Sequence, residues 1–481
     1  MDCENLCYLS ATEMLCRFRD KSLSPVDVMK AVIERTESVE PRINAFSHTF
    51  FESAMERARE SESRYGQGRP IGPLDGLPVA IKDETLVEGM PCTNGSLTMK
   101  DYVADSTSTN NRRILNAGGI LHARTTTPEF SCSGVTWSKL HGITRNPWNP
   151  AFTPGGSSGG ASASLAAGTT ALAMGSDIGG SIRIPASAGG VVGFKPPYGR
   201  NPEEIPYNLD FYCHSGPLAR CVADIVLLQN VISGPDPGDI ATLKPKLELP
   251  EKYPGIQGWK IAWSMNLGYY EVEKEVEKNT LAALDIFRDL GAVVEEVDID
   301  WTTAMLDAGK AYLDHLFGYT MYRSYREHGD LLTPYAKAFA LAGSNSTQAD
   351  FWSSYEVAGE MYRTMGPLLD TYRLFICPTN NLAAVAADHD QSRDTVTVNG
   401  REVDPLLGWV MTLPFNMMSR CPVISIQSGW RRDAVPTGIQ LVGPSYEDAR
   451  VIQAAMAYES AVGQWYRDPA HRPTFEGRAV T

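Results

Sequence analysis

Two serines stand in glycine-rich surroundings within residues 153–199: Ser157 in Gly155-Gly156-Ser157-Ser158-Gly159-Gly160, and Ser181 in Asp177-Ile178-Gly179-Gly180-Ser181. Between them runs a stretch of Ala, Ser and Gly with few side chains longer than leucine. Glycine permits positive φ and close backbone approach, so the two clusters predict two tight turns whose amides face a common point. A serine nucleophile needs a proton acceptor and a group of N–H donors for the developing oxyanion. The backbone of Ile178, Gly179, Gly180 and Ser181 is the candidate donor set.

This segment resembles the signature sequence of the amidase signature family, whose members hydrolyse or transfer amide bonds with a Ser-cisSer-Lys triad. The family's lysine lies upstream in a P-V-A-I-K-D context, and here Pro78-Val79-Ala80-Ile81-Lys82-Asp83 stands at the matching interval. The spacing to Ser181 selects Ser157 rather than Ser158 as the middle member. Asn44-Ala45-Phe46, Gly142-Ile143-Thr144-Arg145-Asn146-Pro147-Trp148 and Gly438-Ile439-Gln440-Leu441-Val442-Gly443-Pro444 also look like family features, so the resemblance spans nearly the whole chain and is tightest over residues 70–220. It implies an amidase signature fold, a large mixed β-sheet with α-helices on both faces (α/β/α), in one domain over residues 1–481. It also implies Lys82 as base, Ser157 as proton relay and Ser181 as nucleophile, with no metal and no organic cofactor. Ser158, Asp177 and Arg183 are the expected supports. Cys132, Ser133, Gly134, Tyr207, Phe211, His214 and Phe415 are the candidate substrate contacts.

The chemistry places a demand on Lys82, because an ammonium cannot take a proton. Burial beside Val79 and Ile81 disfavours the charged form and lowers the lysine pKa. Ser157 then relays a proton to Lys82, Ser181 Oγ attacks the carbonyl, and the shuttle returns a proton to the leaving amine. Ser157 is also a candidate helix N-cap. The rival pattern G-x-S-x-G is met formally by Gly155-Gly156-Ser157-Ser158-Gly159, but a nucleophile elbow must follow a buried strand. Asn146-Pro147-Trp148-Asn149-Pro150 and Pro154 cannot form one. No Gly-Lys-Ser/Thr follows the glycines, so a phosphate loop fails as well.

Within the family, the glutaminase component of a tRNA-dependent amidotransferase is the alternative. That branch carries glutamine after S-I-R, where this chain has Ile184, and an A-S-S-L-D-Q-x-G-P pattern where residues 207–217 depart from it. Arg124, Thr126 and Pro197 are smaller departures. The expected reaction is cleavage of an amide, anilide or carbamate (urethane) bond in a small, apolar or aryl substrate. An aryl acylamidase or a urethanase fits that description.

Composition narrows the partners. A net charge of −14 argues against a polyanion, whose binding needs Lys and Arg patches. Nine cysteines without paired spacing or a CxxC point to a reducing setting rather than a disulfide framework or zinc site. The first residues are acidic and lack an apolar h-region, and no run of about 20 apolar residues occurs. The expectation is a cytoplasmic monomer or homodimer acting on a small molecule, without nucleic acid or membrane.

The elements that must hold these residues follow from periodicity. Residues 9–65 read as helices, with Ser10 and Ser24-Pro25 as starts. Residues 77–81 read as a strand running straight into Lys82, 112–117 as helix and 119–123 as strand, the rhythm of a largely parallel sheet. Residues 161–167 form a small-residue helix and 171–174 a buried segment. Residues 201–215 read as a polar, aromatic loop near the site, with His214 in it, and 234–254 as a connector. Strands at 260–263 and 293–299 flank a helix at 272–290. Residues 302–375 form a helical insertion rich in aromatics, read either as packing between helices or as a pocket wall. Residues 374–378 return to the sheet, Pro414-Phe415-Asn416 is a second pocket segment, and a helix at 449–460 closes the fold.

Overall fold

The computed structural model describes residues 3–477. Its centre is an eleven-stranded sheet. From edge to edge the strands are Phe46–Thr49, Ile120–Thr125, Pro78–Lys82, Leu172–Asp177, His214–Ala219, Val192–Lys195, Val423–Trp430, Pro436–Val442, Leu374–Pro378, Lys260–Trp263 and Val293–Glu296. Pairing is parallel around Pro78–Lys82 and again around Lys260–Trp263, and antiparallel through the middle. The sheet is therefore mixed, as the resemblance implies, and not largely parallel as the strand–helix–strand rhythm of residues 77–123 suggests, because that rhythm holds only around Pro78–Lys82 and Lys260–Trp263.

Side chains alternate across a strand, so a sheet covered on both faces feeds two cores. Along Leu374–Pro378, Leu374 and Ile376 join one apolar cluster while Phe375 and Cys377 join the other. Ile261 and Ala262 divide in the same way, as do Ile424 and Val423. Helices Ala11–Asp20, Val222–Ile232, Lys274–Asp289 and Asp448–Val462 contribute to the first cluster. The helices between Thr303 and Thr371 contribute to the second. No described helix is long and apolar enough to cross a membrane.

The expected helix starts are present: Ser10 accepts from the Glu13 N–H at 3.1 Å, and Ser24 from the Val26 N–H at 3.0 Å with Pro25 opening the helix. Three elements differ from expectation. Phe46–Thr49 is a strand inside 9–65, too short for its alternation to be read. The region 201–215 ends in a strand, His214–Ala219, so His214 belongs to the sheet and not to a loop. The hairpin Val423–Trp430 with Pro436–Val442, not foreseen from periodicity, lies in the sheet interior and is buried on both faces, which removes the alternation that would mark it.

Candidate active site

Lys82 ends the Pro78–Lys82 strand, between Ile120–Thr125 and Leu172–Asp177. Its side chain is buried, and Nζ lies 2.7 Å from Ser157 Oγ, 3.0 Å from Ser176 Oγ and 3.0 Å from Glu84 Oε2. Burial pushes the ammonium pKa down, the Glu84 carboxylate pushes it back up, and the net displacement is downward. The neutral amine a base requires is thereby favoured.

Ser157 precedes the helix Gly159–Ala167 and follows a cis Gly156–Ser157 peptide. The N-cap position falls to Ser158, and no side chain caps that helix, so the N-cap role considered for Ser157 is not observed. Its hydroxyl meets Lys82 instead. A Cβ on Gly156 would stand 2.8 Å from the Ser133 and Gly134 backbone, so only glycine allows this approach. The Ser158 N–H donates to the Ser181 C=O at 3.1 Å, tying the two serine turns together. Ser158 Oγ also stands 3.4 Å from both the N–H and the C=O of Ser176.

The second turn leaves the strand Leu172–Asp177 and enters the helix Arg183–Gly189. Among the described residues no acceptor takes the N–H of Ile178, Gly179, Gly180 or Ser181, while the next two amides, of Ile182 and Arg183, both point to Asp177 Oδ2. Gly179, Gly180 and Ser181 are buried and Ile178 half-buried, and a run of amides without acceptors in such a setting is a candidate site for an anion. Gly180 has φ +130°, and a Cβ there would meet Thr412 Oγ1 at 2.0 Å. That same Thr412 hydroxyl donates to the Gly179 C=O at 2.7 Å.

Asp177 and Arg183 brace this turn from below, both fully buried. Arg183 Nε and Nη2 each lie 2.9 Å from the two Asp177 oxygens. Its remaining donors reach the Thr412 C=O, Gln440 Oε1 and Asn416 Oδ1 at 3.0, 3.0 and 2.7 Å. Burial alone would raise the Asp177 pKa, but the Arg183 guanidinium and its hydrogen bonds outweigh it and hold the carboxyl below the usual range.

Two adjoining cavities open on these residues. A small one of about 40 Å³ is lined by Ser181, Ile184, Cys132, Ser133 and Gly134 together with Leu and Phe side chains. A larger one of about 400 Å³ is lined by Ser157, Ser176, Glu84 and Tyr207 among others. Ile178 and Phe317 belong to both walls.

Three of the seven candidate substrate contacts lie elsewhere. Phe211 packs edge-on against Tyr212 and Tyr312, with the Arg420 guanidinium over its ring. Phe415 is fully buried against Phe375. His214 sits between the Asp177 and Ser419 carbonyls at 3.1 and 3.2 Å, and burial with Lys195 nearby pushes its pKa down to about 3. Each belongs to the packing that supports the site. Glu84, Ser176 and Thr412 were missed. Glu84 lies in the turn just after Lys82 and Ser176 in the strand just before Asp177, but neither belongs to the spacing that marks the lysine and the two serines; Thr412 joins the site only through tertiary packing.

A model of the family described as Amidase matches residues 27–452. The acylamidase of Rhodococcus erythropolis is 34% identical, aligned over 96% of this chain and 97% of its own. One of the subunits of the glutamyl-tRNA(Gln) amidotransferase of Chloroflexus aurantiacus is 30% identical, over 95% and 97%. Among solved structures, a bacterial aryl acylamidase of the amidase signature enzymes superposes with a TM-score of 0.88 at 31% identity, covering 96% of this chain and 98% of that one. The 6-aminohexanoate cyclic dimer hydrolase superposes with a TM-score of 0.85 at 27% identity, over 98% and 99%. The chain thus belongs to the amidase family, the amidase signature enzymes, and is a hydrolase of carbon–nitrogen bonds other than peptide bonds.

Proposed function

We propose that the protein hydrolyses aryl or other apolar amides, including anilides and carbamates, through an acyl-enzyme on Ser181. The observation that carries this reading is the Lys82 Nζ to Ser157 Oγ contact of 2.7 Å in a buried setting, beside a run of four unspent amides. Lys82 takes the Ser157 proton as Ser157 takes that of Ser181, and the attack of Ser181 Oγ forms the tetrahedral adduct. Its oxyanion settles on the 178–181 amides, where one donor is worth about 3–4 kcal/mol. Ser157 returns a proton to the departing nitrogen, and water repeats the sequence on the acyl-enzyme.

The cavities give the substrate a direction. The acyl carbon bonds to Ser181, whose cavity is small, so a short acyl or alkoxycarbonyl group fits there. The leaving nitrogen must face Ser157, whose cavity is ten times larger and carries apolar walls, so an aryl amine fits there. No charged side chain lines the small cavity among the described residues, and Ile184 is one of its walls. Glutamine, a zwitterion, would lose its hydration there without charged partners. This favours the acylamidase reading over the glutaminase one.

The purified chain alone, offered an acetanilide, a methyl N-arylcarbamate, a primary aliphatic amide and glutamine, is expected to cleave the anilide or the carbamate best. Cleavage of glutamine only, or activity only with added partner proteins, would overturn the reading. Ser181→Ala is expected to lower kcat by at least about 10⁴-fold and to abolish labelling by a fluorophosphonate.

A further inference from the structure

Lys82 Nζ has three polar neighbours of two kinds. Ser157 Oγ at 2.7 Å and Ser176 Oγ at 3.0 Å are hydroxyls, which donate or accept, whereas Glu84 Oε2 at 3.0 Å belongs to a carboxylate, which only accepts. The Glu84 contact therefore takes an N–H of Lys82 in amine and ammonium alike. In the amine Ser176 takes the other N–H, and the lone pair is left for Ser157, the nearer hydroxyl. The carboxylate is itself held in place. Ser131 donates its hydroxyl to Glu84 Oε2 and accepts from Thr127 Oγ1 at 2.9 Å. Phe130 and Ser131 have φ of +52° and +59°, and two consecutive non-glycine residues in the left-handed region mark a turn kept for what it presents. Glu84 Oε1 is buried without a donor, so beside a neutral lysine the carboxylate is poorly solvated. Lys82 is the one cation paired with it among the described residues, Arg124 being paired with Asp83 and the nearby Asp177 with Arg183. The other titratable groups around Glu84 are held neutral at pH 7: burial raises the Cys92 thiol to about 12 and the Glu203 carboxyl to about 8, and lifts Tyr207 and Cys213 above their ordinary values.

We propose that Glu84 is a positioning residue for Lys82 and the counter-charge of the ammonium that forms during attack, the part an aspartate plays for a histidine base. The inference rests on the functional reading above, with Ser181, Ser157 and Lys82 in their assigned roles. As Ser181 Oγ bonds to the acyl carbon, its proton passes to Ser157 and that of Ser157 to Lys82. One positive charge then stands 3.0 Å from Glu84, and one negative charge on the former carbonyl oxygen. Both vanish when the adduct collapses: the bond to the leaving group breaks, and Lys82 returns a proton to that group through Ser157. Water supplies the proton for the second round. Opposite charges attract more strongly in a buried, low-dielectric setting than in water. Loss of the carboxylate therefore costs the transition state, in which the ammonium forms, and not the bound substrate.

The test is a stopped-flow burst with 4-nitrophenyl acetate, in which the burst reads acylation and the steady rate reads deacylation. The ester asks for no amide preference, so it decides the proposal even where the anilide and carbamate named above are not cleaved and the substrate reading fails. At a pH above the acid limb, Glu84→Gln is expected to slow both phases by about tenfold to a hundredfold, the range of one hydrogen bond to a charged group, with KM within about threefold of wild type. Toward lower pH the deficit is expected to narrow, since the variant keeps more of Lys82 as the amine; a merely structural defect would not follow pH in this way. Slowing of the burst alone would show that Glu84 acts on the leaving group from the cavity wall, and would overturn the proposal. Two unslowed phases, or one deficit constant across pH, would overturn it equally. If Glu84→Gln does not fold, judged by its Tm, Glu84→Asp is measured in its place. It keeps the charge but withdraws it from Nζ by one methylene, and is expected to slow both phases by a smaller factor; unslowed phases there count against the proposal.

Discussion

At the scale of single residues, Lys82 is held between opposing influences. Burial favours the amine that can accept a proton, and the Glu84 carboxylate 3.0 Å away favours the ammonium that cannot. With Lys82 as the proposed base, the acid limb of activity is expected where Lys82 becomes protonated, activity declining as pH falls through the lysine's lowered pKa. Glu84→Gln keeps an oxygen for Lys82 and Ser131 but removes the charge that raises that pKa. The acid limb of kcat/KM is therefore expected to move to lower pH in the variant; the Asp177 carboxylate, which also acts on Lys82, is unchanged, and burial keeps the nearby Cys213 thiol neutral. A pH–rate profile on one neutral anilide checks this, and a limb that stays in place or moves to higher pH would contradict it. Of these residues, Lys82, Ser157 and Ser181 were legible because their types and intervals together match one family's pattern. Glu84 was not, since a carboxylate beside a catalytic base is the residue a mechanism for a neutral lysine would leave out.

At the scale of elements, the turn from Leu172–Asp177 into Arg183–Gly189 shows how a loop is kept rigid enough to present four amides. The segments that hold it come from across the chain: Thr412, Asn416 and Gln440 all end on Arg183. The sequence marked the 414–416 and 438–444 segments, but read the first as pocket wall. The Asn416 and Gln440 side chains are instead the underside of the turn, a distinction only three-dimensional packing supplies. The ion pair has no water to fall back on. Asp177→Asn is expected to cost about 3–5 kcal/mol at neutral pH, the typical loss when one partner of a buried pair is removed. The wild-type carboxyl has a depressed pKa, so its contribution is present above the unfolded value of about 3.9 and is lost as pH falls through the folded value. The stability gap between variant and wild type, read from Tm, should thus be widest near neutrality and narrow below about pH 4. Equal Tm values at pH 7 would show that the pair does not hold the turn.

At the scale of the whole molecule, the site joins two parts of unlike burial. On one side the helix Gly159–Ala167 and the strand Leu172–Asp177 are buried almost throughout. On the other, the helices between Thr303 and Thr371 expose Tyr319, Trp352 and Tyr362 while their inner faces pack aromatics, Tyr312 stacking on Tyr212 with centroids 3.7 Å apart. Most of the insertion's aromatics are thus helix packing, whereas Phe317, on a π-helical turn at Asp314–Gly318, walls both cavities, so each of the two readings of that region holds for part of it. A π turn inside a helical run widens the backbone locally and is common at functional sites. Thr320, Met321 and Ser324, from the next helix, also line the larger cavity. Opening free energies follow buried contact, so the fully buried segments should open only with the whole fold while the half-exposed flank opens locally. Amide hydrogen exchange is expected to be slowest over 159–177 and faster over 314–328. Because that flank is one wall of the larger cavity, the proposed place of the leaving amine, an aryl amine bound there should slow exchange over 314–328 and leave 159–177 unchanged. Slowing confined to other parts of the chain would place the amine elsewhere and remove the flank from substrate recognition.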